Sequence, residues 1–131
     1  MTRRYARELA LQSLFAIEVG HHDAEAVLGE LEERTATSED RRFIKELVLG
    51  TLAYAHEADE RIAPLLQGWT LERLPTVDRI VLRMALFEML HDPETPRPVV
   101  LNEAVELAKK FSTEDSGRFV NGVLASAVAA A

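Results

Sequence analysis

The sequence predicts an all-α fold of about seven helices, on three observations. Apolar residues recur at helical spacing in nearly every segment between breaks. The stretch 75–90, PTVDRIVLRMALFEML, is apolar nearly all round a helical cylinder. From Val77 to Leu90 only Asp78, Arg79, Arg83 and Glu88 are polar, and at about 100° per residue those four do not share one side. Finally, the one β-branched cluster, at 99–101, runs directly into a helical pattern, so no segment reads as a strand. A helix that is apolar on most sides is buried on most sides, so 77–90 is expected to be a central helix with the others packed around it. The run is too short to span a bilayer, which takes about 20 apolar residues.

Composition bounds the function. At 131 residues, 47% hydrophobic and 28% charged, the chain has enough material for a core. It has no cysteine, which removes disulfides, thiolate metal sites and a catalytic thiol. It opens on Arg3, Arg4 and Arg7 leading into an amphipathic helix, with no apolar leader run, so a cytoplasmic location is expected. The net charge of −7 excludes a strongly basic nucleic-acid binder. That charge is uneven: residues 21–60 hold eleven Asp/Glu against four Lys/Arg, which leaves room for a local basic surface elsewhere.

Taken in order, the first helix is expected over 3–19, stopped by Gly20. Ala6, Leu9, Ala10, Leu14 and Ile17 form a core stripe. Leu11 and Phe15 form a second apolar row, and Arg3, Arg4 and Arg7 share a sector of about 100° with Leu11. Arginines at a helix N-terminus oppose the macrodipole, so they do not serve the helix itself. The alternative is a solvated first turn. A second helix is expected over 24–34, capped by Asp23, with Val27, Leu28 and Leu31 inward and glutamates outward. TATS at 35–38 reads as a loop, with Ser38 as the next cap. A third helix over 39–55 should bury Phe43, Ile44, Leu47, Val48, Leu52 and Tyr54, and a shorter one should run to Gln67, ended near Pro64. The connection GWTLERLP leads to the central helix, which Thr76 starts and which ends near His91. DPETPRP at 92–98 is the clearest break, with three prolines in seven residues. The sixth helix is expected over 98–111 and the seventh over 113–129, with Ser112 and Asp115 as its capping box.

No catalytic signature emerges. The sequence holds no GxxxxGK[ST] or GxGxxG phosphate loop, no HExxH and no GxSxG. His21, His22, His56 and His91 lack ligand spacing, so neither a metal nor a cofactor is expected. The carboxylates follow helical surface spacing, and an enzyme is disfavoured.

Three stretches carry a resemblance: RRYARELALQSLF at 3–15, VDRIVLRMALFEML at 77–90, and VVLNEAVELAKKFSTEDSGRFVNGVL at 99–124. Together they resemble the NusB family of bacterial transcription antitermination factors. The match spans nearly the whole chain and is weakest over 21–60. The resemblance implies an all-helical RNA-binding domain made of two small bundles sharing a long axis, here about 1–67 and 68–131. It further implies binding of boxA-type single-stranded RNA together with the ribosomal protein NusE, and action with RNA polymerase in ribosomal RNA transcription. Carried across, the family's arginine-rich start falls on Arg3, Arg4 and Arg7, where Tyr5 interrupts a longer basic run. The second RNA element falls on Asp115, Arg118 and Phe119. At i, i+3 and i+4 these share a helix face, and a cation beside an aromatic ring suits phosphate and a stacked base. Core packing is the alternative for Phe119, and helix capping for Asp115. The NusE-binding surface would involve Glu72 and Asp78, acidic residues suited to a basic protein.

Two rivals stand beside that reading. One is a structural interaction protein in which Leu11 and Phe15 form a homodimer interface. The other is a detached accessory domain of an RNA cytosine methyltransferase, a class in which a similar domain precedes the catalytic one. No such catalytic domain is expected here, since the sequence stops at Ala131.

Overall fold

The computed structural model describes residues 1–35 and 37–130, apart from the side chains of Glu32 and Ala130. Within these residues there are six α-helices and no strand: α1 (Arg3–Glu18), α2 (Ala24–Arg34), α3 (Ser38–Ile62), α4 (Thr76–His91), α5 (Arg97–Phe111) and α6 (Glu114–Ala130). Two short 3₁₀ turns, Ala63–Leu65 and Leu71–Arg73, link α3 to α4. The loop expected over 35–38 includes residue 36, which lies outside the described residues.

The difference from seven helices is in α3. The expected helix over 39–55 and its short successor are one helix of 25 residues. Between 55 and 62 the chain is mostly polar, and its apolar signal rests on Ala58 and Ile62 alone. Both are fully buried, and no breaker precedes Pro64, so the ladder continues. Proline then stands in the 3₁₀ turn, where a missing N–H costs little.

Local chemistry sets the ends. Thr2 caps α1, its Oγ1 accepting from the Tyr5 amide at 3.1 Å. Past its C-cap at Val19 the chain folds back so closely that a Cβ on Gly20 would stand 2.7 Å from the Ala16 carbonyl oxygen, and His21 turns it at φ 53°. Asp23 caps α2 as expected, accepting from Ala26 at 3.2 Å. Two caps sit one residue from where they were predicted. Thr37, not Ser38, caps α3, accepting from the Asp40 amide at 3.1 Å. Likewise Thr113, not Ser112, accepts from the Ser116 amide at 3.0 Å, while Ser112 closes α5. In both cases adjacent hydroxyl residues offered two candidates one residue apart, within the usual uncertainty of a helix boundary. At α4, Pro75 occupies the cap position and Thr76 is the first helical residue.

α4 is the axis. It packs against α1 and α3 on one side and α5 and α6 on the other. Ile80, Val81, Leu82, Met84, Ala85, Leu86 and Met89 are all buried, and each fully buried aliphatic contributes about 1.5–3 kcal/mol. Two expectations about the core are corrected. Leu11, expected on an outer row with Phe15, is only 2% exposed and belongs to the core, while Phe15 faces solvent. Leu52, expected inside, is 39% exposed; it lines a surface pocket beside Leu14 of α1 and Ile80 and Arg83 of α4. The two arginines of α4 are ion-paired at its margins. Arg83 grips Asp59 through Nε at 2.7 Å and Nη2 at 2.8 Å, and Arg79 meets Glu18 at 2.9 Å. The hydrogen bonds from Asp59 hold the Arg83 guanidinium above its ordinary pKa.

Candidate nucleic-acid interface

The three arginines predicted to form one basic face are placed in three different environments. Arg3 is partly exposed. It pairs with Glu39 at 3.4 Å, and its guanidinium lies 4.1 Å from the centroid of the Phe43 ring, a cation–π stack. Arg4 lies on the surface and holds Glu103 of α5 with two hydrogen bonds, at 3.0 and 3.1 Å. That hydrogen-bonded pair raises its pKa above the ordinary arginine value.

Arg7 is different: it is only 6% exposed. Its Nε donates to Glu88 Oε1 at 2.9 Å and its Nη2 donates to Oε2, closing a bidentate pair with the one carboxylate in the second half of α4. Burial lowers the pKa of the guanidinium, but the hydrogen bonds and the charge of Glu88 outweigh it, and the net shift is upward. The shared sector read from sequence is therefore not one surface. Arg7 and Leu11 turn inward, Arg7 against Glu88 of α4, and Arg3 and Arg4 stay at the surface. Arg3 also lines an open cleft of about 570 Å³ with Phe43, Phe87 and His91.

The second element is at the start of α6. Asp115 and Arg118 are both well exposed and ion-paired to each other, one turn apart. Phe119 is half-buried: part of its ring packs on the core and part is open. The turn is pinned from below. Ser116 is buried, and its hydroxyl donates to Asp78 Oδ2 at 2.9 Å while Ser112 and Thr113 oxygens lie at 2.9 and 3.1 Å. This network ties the first turn of α6 to the first turn of α4.

The proposed protein-binding pair separates. Glu72 is exposed in the second 3₁₀ turn. Asp78 is 3% exposed, so it does not present a carboxylate to a partner, and its Oδ1 has no hydrogen-bond partner among the described residues. Asp78 stands in the first turn of α4, the end of a helix at which a carboxylate is favoured. The expected role of Asp78 in direct docking is corrected to a structural one. Near Glu72, Trp69 is the most exposed large apolar side chain, at 58%; sequence reading passed over it as part of a tight connection.

Sequence reading also missed the partner of Arg7 and the two lysines at the end of α5. Glu88 could have been suspected as a lone carboxylate in an apolar helix half. Lys110 pairs with Glu8 of α1, and the stem of Lys109 lies over Gly117 of α6. The adjacent KK pair was the visible signal. Among the described residues no group of three or more His, Asp or Glu side chains is placed to hold a metal ion, and no helix is long and apolar enough to cross a membrane.

Comparison with known proteins places this geometry. Residues 4–129 match the NusB family. The transcription antitermination protein NusB of Symbiobacterium thermophilum is 44% identical over 137 residues, covering 98% of this chain and 90% of that protein. Among solved structures, T. maritima NusB superposes with a TM-score of 0.88 at 35% identity, over 96% of this chain and 89% of that one. A crystal structure of antitermination factors NusB and NusE in complex with double-stranded RNA superposes with a TM-score of 0.85 at 26% identity, over the whole of both chains. On this agreement of sequence and fold, the chain belongs to the NusB family of transcription antitermination proteins.

Proposed function

We propose that this chain is a non-enzymatic RNA-binding adaptor that takes boxA-type single-stranded RNA together with NusE and acts with RNA polymerase in ribosomal RNA transcription. The observation that carries the reading is the first turn of α6. There an exposed arginine, an exposed carboxylate and a half-open aromatic ring stand on one rigid, pinned turn. Such a set can meet a phosphate, accept from a base or ribose, and stack a base. Arg3 and Arg4 supply further phosphate contacts from α1. The solved complex of NusB and NusE with double-stranded RNA supports NusE and RNA as partners, and the single-stranded form rests on the stacking geometry of the α6 turn. The dimer rival loses Leu11 to the chain's own core, which leaves Phe15 without the row that would have built the interface.

The reading also predicts weak binding in the absence of a partner. Net charge is −7, and each exposed arginine of the site already holds a carboxylate. The test is a mobility-shift titration with a boxA-type single strand and with a duplex of the same sequence, each with and without NusE. Tighter binding of the single strand when NusE is present is expected. Equal affinity with and without NusE, or preference for the duplex, would overturn the reading.

A further inference from the structure

A nucleic acid that touches both Arg4 on α1 and Arg118 on α6 has α5 between its two contacts. That helix lies between the two: Arg4 holds Glu103 of α5, Glu8 of α1 holds Lys110, and α5 packs along α6. The surface at the crossing carries Lys109 and Lys110. Both are exposed, Lys110 the more so, with 62% of its side chain accessible.

Lys109 is placed by an absence on α6. A Cβ added to Gly117 would stand 2.6 Å from Lys109 Cγ, 3.2 Å from Cε and 3.4 Å from Cδ. The lysine stem therefore lies flat on α6 in the space a side chain would fill, beside the residue that precedes Arg118. Its nearest carboxylate, Glu106, is 3.9 Å away, at the edge of ion-pair distance. Of the cations along this path Lys109 is the least committed. Lys110 covers the largely buried carboxylate of Glu8, its ammonium 5.6 Å from the centroid of the Phe111 ring, and most of its side chain stays accessible.

We propose that Lys109 and Lys110 form a phosphate-binding bridge on α5 that joins the arginine end of α1 to the turn of Arg118 and Phe119. The proposal rests on the RNA-binding reading above and adds to it the path of the backbone. Two lysines in the last turn of a helix also suit the macrodipole, but that role makes no demand on Gly117.

The probe is a labelled boxA-type single-stranded RNA, titrated with the full chain in the presence of NusE at several salt concentrations between about 50 and 200 mM. Each phosphate contact to a single strand contributes about 0.7 to the slope of log affinity against log salt. The Lys109→Gln/Lys110→Gln variant is expected to flatten that slope by about 1.4, and Lys109→Arg/Lys110→Arg to keep it. Lys45, exposed on α3 and away from the path, is the control: Lys45→Gln should leave the slope alone. An unchanged slope in the double glutamine variant, with wild-type binding intact, overturns the bridge and leaves the RNA reading standing. The same flattening from Lys45→Gln also overturns it, because the effect is then net charge. Failure of the wild-type chain to bind the RNA overturns the RNA reading and the bridge together.

Discussion

Arg7 separates a structural from a nucleic-acid role more sharply than any other residue here, because its pair with Glu88 is closed off from water. Replacing Arg7 with alanine leaves the Glu88 carboxylate buried and uncompensated. Breaking a buried pair from one side costs about 3–5 kcal/mol, out of a total of about 5–15 kcal/mol for a domain of ordinary stability. At about 3 °C per kcal/mol for a chain of this size, melting should fall by roughly 10–15 °C. Glu88→Ala should cost a similar amount, stranding the guanidinium instead. Replacing both with leucine should cost less than either single change, since no buried charge is left behind. Urea titrations monitored by circular dichroism measure all three. RNA binding of the remaining folded Arg7→Ala protein should keep the wild-type salt slope, because a buried arginine releases no counterion. A loss below about 1 kcal/mol for Arg7→Ala, together with a slope flattened by about 0.7, would place the guanidinium on the surface and refute the argument.

Three further outcomes are expected. Phe119→Ala should weaken RNA binding by about 1–3 kcal/mol with the salt slope unchanged, and should cost less stability than the roughly 3–5 kcal/mol of a fully buried ring; normal binding by a strongly destabilised variant would make it a core residue only. Ser116→Ala leaves the buried Asp78 without its hydrogen-bond donor and should cost about 1–3 kcal/mol in urea unfolding, with Asp78→Asn milder because an amide oxygen still accepts. Glu103→Gln frees Arg4 at little cost to stability, as a solvent-screened surface pair contributes little, so RNA affinity should rise; an unchanged affinity in a filter-binding assay would mean that Arg4 does not meet the RNA.

The fold was legible where periodicity and burial agree. The central helix could be read because its apolar residues encircle it, and the prolines at 93, 96 and 98 could only be a break. The continuity of α3 could not be read, because its last turns bury small or sparse residues, Ala58 and Ile62, which give a weak periodic signal. The α6 half of the site was legible as a face, since i, i+3 and i+4 residues on a helix end must lie together. The arginine half was not. Angular position on α1 grouped Arg3, Arg4, Arg7 and Leu11, but whether a sector faces water depends on what packs against it. Here α4 covers the Arg7–Leu11 side and contributes Glu88 from 81 residues away in sequence. No local pattern encodes such a partner. The same limit hid Asp78, which looks like an ordinary first-turn carboxylate until α6 is laid across it.

The ion pairing of the site bears on how RNA would be held. On the proposed reading, each exposed arginine gives up a carboxylate when it takes a phosphate: Arg3 gives up Glu39, Arg4 gives up Glu103, Arg118 gives up Asp115. Those exposed pairs are cheap to break. The freed carboxylates, however, remain beside a polyanion, and at a Debye length of about 8 Å in physiological salt they are not fully screened from it. Attraction to the arginines is thus partly offset by repulsion from their former partners. Intrinsic affinity is held low without any loss of the geometry that orients the RNA. A basic protein bound nearby changes that balance in two ways, by compensating the freed carboxylates and by adding cations of its own. On the proposed reading, dependence on a partner then follows from the charge arrangement of this surface, with no conformational change required of α1, α5 or α6.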